Sequence, residues 1–416
     1  MDKFIINGGK PLEGTVYIGG AKNAVLPAIA ASLLASGIST ISNAPQLRDV
    51  STMCHLLRSL GAQIVFKDGV LTIDTANVNS FEAPYDIVKT MRASVYVLGP
   101  LIARFGKVLV SLPGGCAWGP RPIDLHLFGI KKLGAAISLD KGYINAAADT
   151  LHGAEIAFAK SSVGATGNVL MAAVTAKGKT VIRNAAVEPE ITSLTENLVK
   201  MGAHIEGIGT SSLKISGVTS LEPLHTTVIP DRIEAGTFMA AGAIAGGKII
   251  LKNAEPSHLS AVIEKMRAAG ISVKVGEEII VESDGNILPA DVLTDIYPGF
   301  PTDLQAQWIA LMSVAKGNTV VEDTIFFDRF THVAELNRLG ADINVEANKA
   351  YIKGVDELKG AHVMSTDLRA SASLILAGLR AKNQTEVHRI YHIDRGYESI
   401  EKKLQALGAS IRRAPE

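Results

Sequence analysis

Residues 56–64 read LLRSLGAQI: the end of an amphipathic helix, a glycine, then the start of a β-branched strand. The phrase returns as IKKLGAAI from Ile130, LVKMGAHI from Leu198, KMRAAGISV from Lys265, ELNRLGADI from Glu335 and KLQALGASI from Lys403. Its glycines, at positions 61, 134, 202, 270, 340 and 408, recur every 68 to 73 residues. A period of this kind marks a repeated supersecondary unit. Each glycine sits where a helix C-terminus needs a left-handed residue, a conformation that glycine adopts without steric cost.

A second helix-to-strand phrase precedes each of these, as in LLASGISTISNA, AAVTAKGKTVIRNA and AGAIAGGKIILKNA. Each of the six units therefore holds two helices with strands after both. The first helices, such as NVLMAAVTA, TFMAAGAIA and WIALMSVA, are apolar almost all round, whereas the second carry a charged stripe. A helix apolar on every side belongs inside. The pattern predicts an α/β protein of three-unit bundles, with first helices central, second helices peripheral and sheets outside. Each unit ends in a further strand and loop except the last, and FIINGGKPLEGTVYI near the N-terminus reads like AYIKGVDELKGAHV at the end of the fifth unit. The first strands are thus expected to complete the last domain. The expected division is residues 22–229 in one domain and 1–21 plus 230–416 in another, with the site in a cleft between them.

Composition agrees with this reading. The chain has 416 residues, enough for two or three domains, with 47% hydrophobic and only 5% aromatic residues and 39 glycines, so its core is built from small side chains. Lys plus Arg and Asp plus Glu both total 41, which leaves none of the basic excess of a nucleic-acid binder. MDKFIINGGK places charges and a glycine pair where a signal peptide needs an apolar run. The stretch from Ala24 to Gly37 is too short to cross a membrane and contains Pro27. A soluble, cytoplasmic protein is expected. Two cysteines, Cys54 and Cys116, make neither a disulfide scaffold nor a zinc site.

Polar residues gather where the first helices begin: Lys22 and Asn23, Arg92, Ser162 to Thr166, Asp231 to Glu234, Thr302 to Gln305, and Asp367 to Arg369. Parallel central helices would bring these ends together, each offering free N–H groups to an anion. The alternative is that they are only caps and solvated ends, the reading favoured for Glu234 and Gln305. Two decoys fall away. Gly19-Gly20-Ala21-Lys22 lacks the spacing of a phosphate-binding P-loop, and Gly164-Ala-Thr-Gly167 lacks the third glycine of a dinucleotide site.

The loop LPGGCAWGPRPID, residues 112–124, is the strongest chemical candidate, because proline and glycine forbid a regular element around Cys116. Beside Arg121 its thiol can be both accessible and acidified, and the loop can act as a lid. Trp118 could instead be a simple anchor. Cys54, on the helix STMCHLLRSL, fits a buried structural thiol. Asp303 has no charged neighbour in sequence, and His126 is as well placed for packing or orientation as for catalysis.

Together, GGAKNA at Lys22 and Asn23, PGGC followed by RPIDLH, SVGAT at Ser162, FPTDLQAQ at Asp303, and STDLRA with IYHIDRGYE resemble the enolpyruvyl transferase family, in its branch acting on UDP-N-acetylglucosamine. The resemblance covers essentially the whole chain. It implies the two-domain inside-out α/β prism and transfer of the enolpyruvyl group of phosphoenolpyruvate to the sugar 3-hydroxyl, by addition then elimination, with no metal or redox cofactor. It implies a place at the start of peptidoglycan synthesis. By resemblance, Cys116 is the general acid and adduct site, and Lys22, Arg121 and Arg395 are the cationic clamp on phosphate and carboxylate. Asn23 and Asp303 contact or deprotonate the sugar hydroxyl. Arg92, Arg121, Pro122, Ile123, Asp124, Leu125, Lys160, Ser161, Ser162, Val163, Gly164, Asp303 and Ile325 match the uridine-sugar site, and Asp367 and Arg369 line the reaction centre. Trp118, Pro120, Gly167 and Phe327-Asp328 depart from the family pattern, with Gly167 at a commonly acidic position. The 3-phosphoshikimate branch shares the six-unit architecture but lacks this cysteine loop, and a noncatalytic repeat scaffold is the remaining alternative.

Overall fold

The computed structural model describes residues 2–112 and 123–416. The chain divides into two compact units, one of residues 20–229 and the other of residues 1–19 with 230–416. The division thus falls two residues before the Ala21–Lys22 boundary read from the sequence, at Gly19–Gly20. The expected loop residues Cys116, Trp118, Pro120, Arg121 and Pro122 lie outside the described residues.

The unit of residues 20–229 contains α1 (Lys22–Ala31), α2 (Arg48–Ser59), the short α3 (Tyr85–Val88), α4 (Leu98–Phe105), α5 (Asp124–Lys132), α6 (Val163–Ala173) and α7 (Pro189–Lys200). The other unit contains α8 (Arg232–Ala245), α9 (Ser260–Ala268), α10 (Gln305–Met312), α11 (His332–Arg338), α12 (Leu368–Arg380) and α13 (Ile400–Ala406). The helices that are apolar all round are interior: α10 buries all eight of its residues and α12 all but Arg380. In that unit α8, α10 and α12 pack on one another, and in the first α4 packs on α6. The amphipathic α2 and α7 instead bury one face and leave residues such as Arg48, His55 and Lys200 to solvent.

Each repeat ends in a four-stranded sheet, three to a unit, and all six share one order. A parallel edge strand, a strand following the central helix, and then two antiparallel strands lie side by side. Ile38–Ser42 is flanked in this way by His225–Thr227 on its parallel side and by Val70–Asp74 and Gln63–Lys67 on the other. Strand β1 (Asp2–Asn7) enters the last sheet between Gln384–His388 and Ser410–Pro415, pairing Phe4 with Val387 and Ile6 with Ile411. Strand β2 (Leu12–Tyr17) is the parallel edge beside Gly247–Lys252. The resemblance between the N-terminal phrase and the end of the fifth unit has its counterpart here, since β1 occupies the position that Lys349–Lys353 holds in the sheet before it.

The six repeat glycines all have left-handed backbones, with φ of +109° at Gly61, +100° at Gly134, +103° at Gly202, +80° at Gly270, +92° at Gly340 and +94° at Gly408. Helices inside and sheets outside make each unit an inside-out α/β prism. The shape follows from composition: helices rich in alanine and glycine approach closely enough to fill an interior without aromatic bulk.

Candidate active site

In the unit of residues 20–229, four helix starts carry the candidate residues. Lys22 opens α1, and its Nζ lies 2.7 Å from Asp49 Oδ2 at the first turn of α2, with 13% and 4% of the two side chains exposed. The second glycine of the pair before it has a steric cause, because a Cβ at Gly20 would sit 1.9 Å from the Asn43 carbonyl oxygen. Asn23 follows, half-buried. Arg92 opens a 3₁₀ turn, half-buried.

Ile123 is buried just before α5, while Asp124 is exposed and Leu125 half-buried. His126, on the same turn, is held by Asn168: the Asn168 side-chain oxygen accepts from Gly99 N–H at 2.8 Å, and its Nδ2 donates to the Val95 carbonyl at 3.0 Å. The remaining amide hydrogen points to His126 Nδ1 at 2.8 Å, so that nitrogen accepts and the ring proton sits on Nε2. Burial and then Arg92 push the imidazole down to about 3, which keeps it neutral. His126 therefore orients and packs; it is no acid–base group at ordinary pH. Its ring lies beside Gly164, in the segment where Ser162 caps α6 by accepting from Ala165 N–H at 3.3 Å. Lys160 is exposed, and Ser161, Ser162, Val163 and Gly164 are half-buried. At Gly167 a Cβ would meet the Tyr96 ring at 2.8 Å, so the place of an acidic side chain is filled here by aromatic packing.

In the other unit the helix starts converge through a buried polar chain. Asp303, on the turn leading into α10, accepts from Arg329 Nη2 at 2.8 Å through Oδ1 and from Arg369 Nη2 at 2.7 Å through Oδ2. Burial alone would raise this carboxyl, but Arg369 and Arg329 outweigh it and hold it well below the usual carboxylate range. Arg369 also donates to the Tyr397 hydroxyl at 3.2 Å, as does Gln307 Nε2 at 3.2 Å. Thr237 gives its hydrogen to the Ile233 carbonyl at 2.8 Å, so the 2.8 Å bond between Tyr397 and Thr237 is donated by the tyrosine. On the far side Arg329 donates to Thr302 Oγ1 at 3.0 Å, and Thr302 donates to buried Asp323 at 2.7 Å. Asp323 also receives the backbone N–H of Ile325 at 2.9 Å, which ties that residue to the same chain.

Asp367 caps α12, accepting from the N–H groups of Arg369 at 2.7 Å and Ala370 at 3.0 Å. Arg395 ends the turn Ile390–Arg395, half-buried, two residues before Tyr397. Asp303, Arg369 and Asp367 are thus one cluster, with Ile325 joined through Asp323.

The sequence reading of Glu234 and Gln305 as caps and solvated ends is corrected. Asp231 caps α8, accepting from Ile233 and Glu234 N–H. Glu234 is 4% exposed and binds Gly19 N–H at 2.7 Å and Lys403 Nζ at 2.6 Å. Gln305 is fully buried, and neither of its amide atoms meets a partner among the described residues. Arg329, Thr237 and Asp49 were not singled out from the sequence, and Gln307 and Tyr397 entered only as members of the phrases FPTDLQAQ and IYHIDRGYE, with no role assigned. Only Arg329, which follows Asp328 among the three phenylalanines of FFDRF, offered a local signal. Cys54 is buried, and burial pushes its thiol up to about 11, as expected of a structural cysteine.

This architecture is that of a family. The family model described as EPSP synthase (3-phosphoshikimate 1-carboxyvinyltransferase) matches residues 6–404. The chain is 56% identical over 417 aligned residues to the UDP-N-acetylglucosamine 1-carboxyvinyltransferase of Chloroherpeton thalassium, covering 99% of this chain and 97% of that protein. It is 54% identical to the protein of that name from Geotalea uraniireducens, with both chains covered completely. Among solved structures, the enolpyruvyl transferase NikO from Streptomyces tendae superposes with a TM-score of 0.89 at 25% identity, covering 100% of this chain and 99% of that one. EPSP synthase from Acinetobacter baumannii, at a TM-score of 0.75, 19% identity and full coverage of both chains, shows the fold. The chain belongs to the enolpyruvyl transferase family that this model describes, and within it to the UDP-N-acetylglucosamine 1-carboxyvinyltransferases. No helix among the described residues is long and apolar enough to cross a membrane.

Proposed function

We propose that this chain transfers the enolpyruvyl group of phosphoenolpyruvate to the 3-hydroxyl of UDP-N-acetylglucosamine, releasing phosphate. The observation that carries the reading is 56% identity to a UDP-N-acetylglucosamine 1-carboxyvinyltransferase along 99% of the chain. The sugar oxygen attacks C2 of phosphoenolpyruvate while C3 takes a proton from the Cys116 thiol. Loss of phosphate and of a C3 proton from the tetrahedral adduct then gives the enolpyruvyl ether. The bonds that change are C–O bonds at C2 and bonds from hydrogen to carbon, oxygen and the thiol sulfur, with no net oxidation or reduction, so proton transfer and charge placement suffice.

Lys22, Arg121 and Arg395 clamp the phosphate and carboxylate, a task suited to groups that stay charged and hydrogen-bond both anions. Asn23 and Asp303 take the sugar hydroxyl. A carboxylate held ionised by two arginines is a weak base, yet the hydroxyl becomes strongly acidic as its oxygen bonds to C2, and a weak base accepts that proton late in the step. Arg92, Ile123, Asp124, Leu125, Pro122, Ile325 and the segment Lys160 to Gly164 hold the uridine and sugar, while Asp367 keeps Arg369 at the reaction centre.

The reaction begins peptidoglycan synthesis in the cytoplasm, and through it serves cell shape and division. Cys116, as the adduct-forming thiol, is proposed as the target of the epoxide fosfomycin. Phosphate release from phosphoenolpyruvate is measured with UDP-N-acetylglucosamine and with shikimate 3-phosphate separately. Release only with the sugar nucleotide is expected; release only with shikimate 3-phosphate overturns the reading, and release with neither leaves a binding scaffold. Cys116→Ser removes most activity at neutral pH, and intact mass after fosfomycin treatment rises by one adduct in the native protein alone.

A further inference from the structure

The outward face of the last sheet carries side chains that enolpyruvyl transfer does not use. Among the described residues, His362, Glu386 and His388 are the one group of His, Cys, Asp or Glu side chains whose donor atoms lie close enough to hold an ion. The sheet register creates the group. His362 faces Glu386 across the parallel pair of His362–Met364 and Gln384–His388, and His388 follows Glu386 by two residues on the same face.

The three donor atoms form a triangle. His362 Nδ1 lies 3.3 Å from His388 Nε2 and 3.5 Å from Glu386 Oε2, and His388 Nε2 lies 3.8 Å from that oxygen. A tetrahedral ion bound at ~2.0–2.2 Å to imidazole nitrogen and carboxylate oxygen separates its ligand atoms by about 3.3–3.6 Å. The triangle has nearly this size already. The His362 side chain is 70% exposed, leaving an entry path.

A second observation sets the donor chemistry. The other nitrogen of His388, Nδ1, lies 3.1 Å from Glu416 Oε1. A histidine that gives its Nδ1 hydrogen to a carboxylate has its Nε2 lone pair free to coordinate, the arrangement that orients metal-bound histidines. Lys3 Nζ, 2.5 Å from Glu386 Oε2, keeps the carboxylate ionised and competes for it.

We propose that His362, Glu386 and His388 form a surface site for a borderline-soft divalent ion, with Zn2+ best matched to two imidazoles and one carboxylate, and that Glu416 positions His388. Binding leaves the His362 proton on its exposed Nε2. The ion fastens the edge strand His362–Met364 to its neighbour, just ahead of the Asp367 cap and Arg369. The site is independent of the transfer reaction.

The full chain is titrated with ZnCl2 in competition with a chromophoric chelator, beside His362→Ala, His388→Ala and Glu416→Gln variants, with phosphate release as the control for folding. One Zn2+ equivalent is expected to bind the native chain and be lost from each histidine variant. Glu416→Gln weakens binding about tenfold, and Lys3→Met strengthens it. Replacing Cys54 and Cys116 by Ser leaves that equivalent in place. No binding by the native chain, or binding unaltered in the His362→Ala, His388→Ala double variant, overturns the proposal.

Discussion

Asp303 Oδ2 accepts from Arg369 Nη2 at 2.7 Å, a bond that joins the turn before α10 to the first turn of α12 across 66 positions of sequence. Arg329 takes the other oxygen, so one carboxylate balances two guanidiniums that are each only 5% exposed. A carboxyl depressed in the fold contributes stability that is present above its unfolded value, roughly 3.9, and is lost as pH falls through the lower folded value. Arg329→Met removes one of the two cations, so the acid-unfolding midpoint should move to higher pH. Asp303→Asn leaves both arginines facing each other and should cost about 3 kcal/mol as well as most transfer activity. Denaturant melts at pH 7 and a pH series of the Arg329→Met chain check both; an unmoved acid midpoint counts against the electrostatic account.

Tyr397 accepts from Arg369 and Gln307 and donates to Thr237. Tyr397→Phe keeps the ring packing and deletes only the hydroxyl. The expected loss is about 1–2 kcal/mol of stability with a larger fall in kcat than in affinity for the sugar nucleotide, because Arg369 loses its second anchor. Equal losses in kcat and KM terms would assign Tyr397 to packing alone.

Buried Glu234 pairs with half-buried Lys403 and also holds Gly19 N–H. Burial pushes the Glu234 carboxyl up against the pull of Lys403. Lys403→Met should cost about 3 kcal/mol by stranding the carboxylate, and adding Glu234→Gln should recover part of it. A double-mutant cycle in urea measures the coupling, and additive losses would mean that the pair does not interact.

Two buried histidines set a pH window. Burial pushes His126 down to about 3 and His332 down to about 4. Each is neutral in the fold and protonated when unfolded below roughly 6.5. Their contribution is therefore complete above about pH 6.5 and falls as pH drops toward the folded values, by about 1.4 kcal/mol per pH unit for each ring. Between pH 5 and 6 the His126→Asn chain should show a slope of stability with pH shallower by about one proton. An unchanged slope would place a charge on His126 in the fold.

Much of the fold could be read from residue order because its determinants are local. Glycine at 61, 134, 202, 270, 340 and 408 ends a helix through its own backbone freedom, as the positive φ values confirm. Helices without a polar face must be interior wherever they fall in the chain, and α10 and α12 are. The similarity of the N-terminal phrase to the end of the fifth unit signals a shared strand role, and β1 fills that place.

Side-chain partnerships were not readable in this way. Glu234 looks like any helix-start acid in sequence, and only its packing against Gly19 and Lys403, 215 and 169 residues away, buries it. Lys22 resembles a free cation until α2 brings Asp49 to it. Asp303 has no charged neighbour in sequence yet gains two in space. His362 and Glu386 meet because two parallel strands choose one register, and a slip by one residue would turn them to opposite faces. The sequence alone determined the repeat, the interior helices and the family, since each depends on residue type and spacing along the chain. The tertiary structure alone decided which charges are buried together and which carboxylates are held ionised, because burial and pairing depend on distances that only packing sets.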